Sequence, residues 1–200
     1  MKISRAYKLF TVTITLLLVI TAIASFYALK IQNDIIQSEQ HRLRSLLLAY
    51  ELFQSSEDLT RMARSYVATG NPVYEEHYYA ILDIRNGKRP RPANYEATYW
   101  HLTGVGKSKS MPHEQPVALQ ELMRREHFTD EEFALLKESQ ANSDHLVNME
   151  QRAFAAMKGL YDDGRGNYTL KRSPDSAYAV NLLFSEKYSD EKAAIMAPIQ

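Results

Sequence analysis

The chain of 200 residues contains no cysteine. This absence excludes disulfides, thiolate catalysis, iron–sulfur clusters and cysteine zinc sites, so packing alone must stabilise the fold. Glycine and proline are scarce, with seven of each, and residues 31–69 contain neither. A composition of 45% hydrophobic and 24% charged residues is nevertheless close to that of globular domains, which argues against disorder.

The net charge of the chain is zero, because 24 basic side chains balance 24 acidic ones. Proteins that bind nucleic acid usually carry a basic excess, so we expect no nucleic-acid partner. The balance is uneven along the chain. Residues 1–30 hold four basic and no acidic side chains, whereas the remaining 170 residues hold 20 basic and 24 acidic ones.

No charged residue occurs in the 21 positions from 9 to 29. As a helix this run would reach about 31 Å, enough to cross the core of a bilayer, and the basic residues before it favour a cytoplasmic N-terminus. A cleaved signal peptide is the alternative, since Ala22-Ile23-Ala24 offers a small-x-small site, but the run is longer than a typical signal h-region. We therefore expect a cytoplasmic N-terminus (1–8), an uncleaved anchor (9–29) in a bacterial inner membrane, and a periplasmic domain (30–200).

Helical signals dominate this expected periplasmic part. Gly70 and Asn71-Pro72 separate two helices, Thr129-x-x-Glu132 is a capping box before a long helix over about 130–160, and Ser173-Pro174 opens a last helix that runs to the end of the chain. Residues 88–115 predict a long loop, followed by a short helix over 117–127. No stretch shows convincing strand alternation. We predict an all-α fold, in which a transmembrane helix continues into an antiparallel up-down-up-down bundle with a long loop insertion.

Polar residues interrupt the apolar seam of the helix predicted over 130–160. Gln140, Ser143 and Glu150 occupy seam positions, and the turn that contains Asn142 has no large apolar residue. Such a stretch is either a thin, solvated part of a bundle or a polar pocket between helices, where bundles build ligand sites. Asn142 and Ser143 are candidate ligand-binding residues.

Basic and aromatic residues supply further candidates. Arg61 and Arg64 either bind a carboxylate or phosphate in bidentate fashion or pair with acidic neighbours on the helix surface. Residues 74–100 are rich in tyrosine and arginine and contain the single tryptophan. These side chains either pack the long loop onto the bundle or place Trp100 over a ligand pocket, with Tyr78 and Arg85 as further candidates.

Sequence motifs for catalysis are lacking. The chain has no G-x-S-x-G, P-loop, G-x-G-x-x-G or H-E-x-x-H sequence, and its six histidines show no helical ligand spacing. We therefore expect no catalytic residue, no cofactor and no metal site, and an anchored enzyme is the least favoured of the possible functions.

Several segments resemble the N-terminal periplasmic sensor region of bacterial transmembrane receptors, above all hybrid sensor histidine kinases, and also chemoreceptors and diguanylate cyclases. The similar segments are DLTRMARSYVATG (58–70), IRNG (84–87), RP (89–90), YW (99–100), HFTDEEF (127–133), NSDHLVNME (142–150) and IMAPI (195–199). They cover most of residues 50–200 in order.

The resemblance implies a helical domain between two membrane helices that passes a helix shift, induced by a ligand or partner, to a kinase or similar module. It also implies a homodimer in the full-length receptor. This chain has neither a second apolar span nor cytoplasmic kinase motifs, so we expect it to be the sensing part of a longer receptor. The alternative is a periplasmic interaction or dimerisation module that docks a binding protein rather than a small ligand.

Overall fold

The computed structural model describes residues 2–93, 95, 99–103, 115–126 and 128–197. This part of the chain is mostly helical, as the sequence predicts. Its elements are α1 (Lys2–Thr69), α2 (Pro72–Arg85), α3 (Tyr99–Thr103), α4 (Leu119–Arg125), α5 (Asp130–Met157), β1 (Leu160–Asp162), β2 (Tyr168–Lys171), α6 (Ser176–Leu183) and α7 (Glu186–Met196). Two compact units divide the chain, Met1–Arg44 and Ser45–Gln200.

The first unit is the N-terminal part of α1. Its apolar side chains are exposed, including Leu9 at 70% and Phe26 at 67%. A core helix of a soluble protein buries such residues, so this stretch is not a core helix. By length and composition α1 could cross a membrane, and it is the one helix among the described residues that could.

One large apolar core holds the second unit together. Its largest buried side chains come from α1, α2, α3, α5, α6 and α7, and include Met62, Tyr66, Tyr78, Ile81, Trp100, Phe154, Leu183, Tyr188 and Ile195. A smaller cluster joins α1, α4 and α5 through Leu52, Leu119, Met123 and Leu136. The up-down-up-down order and the loop insertion stay predictions. Residues 94, 96–98 and 104–114 of that loop lie outside the described residues, as do His127 and residues 198–200.

The predicted starts of α2 and α5 are confirmed, whereas the last helical region begins after Asp175 and not at Ser173-Pro174. The Asn71 side chain accepts a hydrogen bond from the backbone N–H of Val73 (3.1 Å) ahead of α2. At the start of α5, the Thr129 hydroxyl accepts from the Glu132 N–H, while the Glu132 carboxylate accepts from the Thr129 N–H. Side chains thereby satisfy amide groups that a helix leaves without partners.

A β-hairpin follows α5, so the prediction of a chain without strands was wrong for residues 160–171. β1 pairs antiparallel with β2, and the predicted turn lies between them. The strands have only three and four residues, and their side chains are mostly exposed, so they produce no alternation of apolar and polar residues. In the turn, Asp162 and Asp163 each accept two backbone N–H groups.

α5 ends at Met157, three residues earlier than predicted, and Gly159 follows its C-cap. Its φ is +69°, and a Cβ atom there would lie 2.3 Å from the carbonyl oxygen of Arg172. Glycine is therefore required both by the left-handed backbone and by the close approach of the chain after β2.

The last predicted helix is two helices. Phe184 ends α6, and the Ser185 side chain accepts a hydrogen bond from the Tyr188 N–H (3.1 Å) to begin α7. A serine hydroxyl that binds the backbone in this way competes with helix continuation. The break lies next to two fully buried side chains, Leu183 and Tyr188.

Candidate functional site

A buried carboxyl group lies at the centre of the second unit. Glu150 of α5 is 1% exposed, and it accepts hydrogen bonds from the hydroxyls of Tyr78 and Tyr188, each at 2.6 Å. The Tyr188 hydroxyl is also 3.4 Å from the Thr60 hydroxyl of α1. Burial raises the pKa of Glu150, and the two tyrosine hydrogen bonds oppose that shift. Burial likewise raises the pKa values of both tyrosines.

Arg85, at the end of α2, is a buried cation with 3% exposure. Its Nη1 donates to the Ser143 hydroxyl (2.9 Å), and its Nη2 lies 3.9 Å from the Asp144 carboxylate. Nε and Nη2 have no hydrogen-bond partner among the described residues. Burial lowers the pKa of Arg85, but a guanidinium keeps its charge in proteins. The polar seam position of Ser143 therefore serves to bind a buried arginine.

Arg64 and Asn142 make contacts between helices. Arg64 Nε donates to the carbonyl of Leu183 (3.0 Å), and its guanidinium carbon lies 4.9 and 5.0 Å from the ring centres of Phe184 and Tyr188. Asn142 donates to the carbonyl of Ala194 in α7 (3.0 Å). These positions connect α1 with α6 and α7, and α5 with α7.

A cleft of about 360 Å³ opens beside α1. It is lined by Leu47, Tyr50, Glu51, Gln54, Ser55, Asp58, Tyr95 and Trp100. Its volume lies at the lower end of the range of small-molecule sites, about 300–1,000 Å³. The cleft combines an apolar surface with a few polar groups, as such sites do.

Two carboxylates line the α1 wall of the cleft, and each has an arginine partner. Asp58 is 3% exposed; it binds Arg61 Nη2 through Oδ1 (2.6 Å) and Gln54 Nε2 through Oδ2 (3.2 Å). Glu51 binds Arg91 Nε and Nη2 through its Oε1, at 2.9 and 2.8 Å. Both acidic residues line the cleft, whereas neither arginine is among its lining residues.

Aromatic side chains form the opposite wall. Trp100 Nε1 donates to the Tyr95 hydroxyl (3.2 Å), and their rings meet edge to face. Burial raises the pKa of Tyr95 to about 12, so this hydroxyl is neutral at physiological pH. The His77 ring lies 5.2 Å from Trp100, and burial lowers the pKa of His77.

The predicted site residues therefore occupy three places. Trp100 lines the cleft. Arg61 forms an ion pair with Asp58, a residue of the cleft wall, and this is the i,i+3 pairing with an acidic neighbour that the sequence allowed. The buried polar core contains Tyr78, Arg85 and Ser143. Arg64 and Asn142 lie in helix–helix contacts.

Sequence reasoning missed most of the cleft. Glu51, Gln54 and Asp58 lie three and four residues apart, and this spacing alone would have placed them on one face of α1. Tyr95 and Trp100 come from a region without helical periodicity, so no pattern in the sequence connects them to that face. In the described part of the chain, no group of three or more histidine, aspartate or glutamate residues could hold a metal ion.

No family model, no curated protein and no solved structure matches the chain.

Proposed function

We propose that the chain is the extracytoplasmic sensing domain of a bacterial signal-transduction receptor of the hybrid histidine kinase type. One observation carries this proposal: six of the eight residues that line the cleft belong to α1, the helix that also contains the apolar stretch. A ligand in the cleft would therefore contact the helix that enters the membrane.

In this function, α1 is an uncleaved inner-membrane anchor with a cytoplasmic N-terminus, and residues 30–200 form an antiparallel helical bundle in the periplasm. A ligand between the α1 wall and the Tyr95–Trp100 wall would change the distance between them. Because α1 is continuous from Lys2 to Thr69, a tilt or rotation of its outer part is transmitted along it. In a full-length homodimeric receptor, this shift would reach the kinase.

A chimera tests the proposal. In it, this chain replaces the sensor region of a histidine kinase whose activity can be measured in membranes, and the end of the chain is joined to the second membrane helix of that kinase. Autophosphorylation in membranes is measured with a panel of small organic acids, amines and nucleobases. We expect at least one compound to change the kinase rate, and Tyr50→Ala, in the cleft wall, to reduce that response. Leu170→Ala is the control, because Leu170 of β2 is also an exposed apolar residue and lies outside the cleft. A rate that no compound changes contradicts the proposal.

A protein-interaction or dimerisation module is the second candidate. Leu46, Leu47 and Tyr50 of α1 are 64%, 57% and 51% exposed, which is unusual for neighbouring large apolar residues. A Leu46→Cys variant should then form a disulfide-linked homodimer in membranes, or a periplasmic binding protein should copurify with the chain. Either result together with a chimera that no small compound activates favours this second candidate.

A further inference from the structure

We infer that the cleft binds an organic ammonium cation that carries an apolar substituent. The inference rests on the proposed sensing function, for which it names the class of ligand. It comes from the two kinds of group that line the cleft, carboxylates on α1 and aromatic rings opposite them.

The carboxylates supply the charge recognition. Asp58 and Glu51 lie seven residues apart on α1 and both line the cleft. Each arginine contact uses only part of the hydrogen-bonding capacity of its carboxylate, because a carboxylate accepts about four hydrogen bonds. Both Arg91 contacts of Glu51 go to its Oε1. An ammonium group would bring further donors to these carboxylates.

The aromatic rings suit the same ligand. Tyr50, Tyr95 and Trp100 contribute ring surface to a cleft whose lining is predominantly apolar. A cation within about 6 Å of an aromatic face is attracted by the ring quadrupole, and tryptophan gives the strongest attraction. The rings also accept the apolar substituent, so a single molecule can contact both walls.

An anionic ligand, which the arginine-rich sequence had suggested, does not suit this cleft. Arg61 and Arg91 pair with the wall carboxylates but do not line the cleft itself. Arg64 faces the rings of Phe184 and Tyr188 elsewhere in the core. The ionisable groups that line the cleft are two acids and two tyrosines, so a carboxylate or phosphate would meet like charge there.

The test uses the fluorescence of Trp100, because it is the only tryptophan in the chain and lines the cleft. The full chain in lipid nanodiscs is titrated with benzylamine, benzyl alcohol and benzoate, which share one ring but differ in charge. We expect saturable quenching or a spectral shift with benzylamine, binding weaker by about ten-fold or more with benzyl alcohol, and none with benzoate. Equal binding of the amine and the alcohol, tighter binding of benzoate, or no binding of any of the three overturns the inference.

Variants locate the effect. Asp58→Asn should weaken benzylamine binding by about ten-fold while leaving benzyl alcohol unchanged. Glu57→Gln is the matched control, because this carboxylate is the adjacent residue of α1 but pairs with Lys192 (2.8 Å) and does not line the cleft. Where circular dichroism shows that Asp58→Asn is unfolded, Glu51→Gln makes the same test. A loss of affinity as large in Glu57→Gln as in the cleft variants also overturns the inference.

The chimeric kinase separates this inference from the proposed function. A chain that selects benzylamine but does not change the kinase rate in response to any compound supports the ligand class and contradicts the sensing role. A chimera that responds to an anion or a nucleobase, but does not bind benzylamine, supports the sensing role and overturns the ligand class.

Discussion

At the level of single residues, Glu150 combines features that rarely occur together. It is a carboxyl group removed from water, and its two direct partners are neutral phenols rather than a cation. Ionisation at this position is costly, because a hydrogen bond to a neutral donor stabilises a buried charge less than an ion pair does. The more distant guanidinium groups of Arg85 and Arg64 offset part of this cost.

Replacing Glu150 with glutamine should change how stability depends on pH. Because burial raises the native pKa of Glu150, the native state holds its proton more tightly than the unfolded chain does. The unfolding free energy of the wild type relative to Glu150→Gln is therefore greatest in acid, and it falls as pH rises through the raised pKa. Urea unfolding of both proteins across this range measures the difference. A difference that is constant or grows with pH contradicts the assignment.

The tyrosine hydroxyls should each contribute measurably to stability. In Tyr188→Phe the ring stays in the core, but the buried carboxyl loses one of its two donors, which should lower the unfolding free energy by about 1–3 kcal/mol. Tyr78→Phe should behave in the same way. Tyr79→Phe, at a neighbouring tyrosine that is 38% exposed, should cost much less and serves as the control. Equal effects at Tyr79 and Tyr188 would show that the hydroxyl contact does not matter.

The polar positions in the seam were visible in the sequence, whereas their partners were not. Ser143 and Glu150 interrupt a heptad pattern, and periodicity alone identifies them. Tyr78 and Tyr188 lie 72 and 38 residues from Glu150, and nothing local distinguishes them from the other tyrosines of the chain. Contacts of this kind depend on how helices pack, and periodicity does not determine which helices become neighbours.

At the level of elements, prediction succeeded where a local side chain decides the outcome. The capping box at Thr129 and the Asn71-Pro72 start are short-range hydrogen-bond patterns, and both were read correctly. The hairpin over 160–171 was missed because its strands are short and exposed. The break at Ser185 was missed because serine is also tolerated inside helices, so its capping role depends on the surrounding structure.

Alanine substitutions at two glycines can measure the free-energy cost of the close contact between Gly159 and the Arg172 carbonyl. Gly159 and Gly164 both have positive φ, at +69° and +86°, but a Cβ atom at Gly164 meets nothing within 4 Å. Gly164→Ala should therefore cost about 1–2 kcal/mol for the left-handed backbone alone. Gly159→Ala should cost about 1–3 kcal/mol more, because the methyl group overlaps the Arg172 carbonyl. Urea unfolding of the two variants measures both values, and equal losses would contradict the close contact.

At the level of the whole molecule, the basic N-terminal part and the remainder of the chain also differ in how far their apolar side chains are exposed. The apolar residues of α1 between Lys8 and Lys30 are exposed throughout, whereas the second unit contains a large core of buried apolar side chains. The sequence therefore indicated the apolar stretch and the helical nature of the remainder. It did not indicate the cleft, whose walls come from α1 and from a segment without periodicity.

The absence of cysteine makes the proposed membrane orientation directly measurable. In intact cells, a single cysteine at Arg165, in the exposed hairpin turn, should react with a maleimide that cannot cross the inner membrane. A cysteine at Arg5 should react only after the cells are permeabilised, because the proposed orientation places the basic N-terminus in the cytoplasm. The cysteine-free parent is the background control. The opposite labelling pattern contradicts the orientation, and labelling of both sites in intact cells contradicts an intact anchor.

The Glu150 carboxyl group also restricts how the domain can move. Its two 2.6 Å bonds join α5 to α2 and α7, and Tyr188 lies within reach of α1 through Thr60. Sliding any of these helices by a single residue, about 1.5 Å, would break a bond inside the core. A small tilt about the carboxyl group leaves both bonds in place. Glu150 is thus a pivot, and the motions open to these helices are rotations around a fixed point rather than translations along their axes.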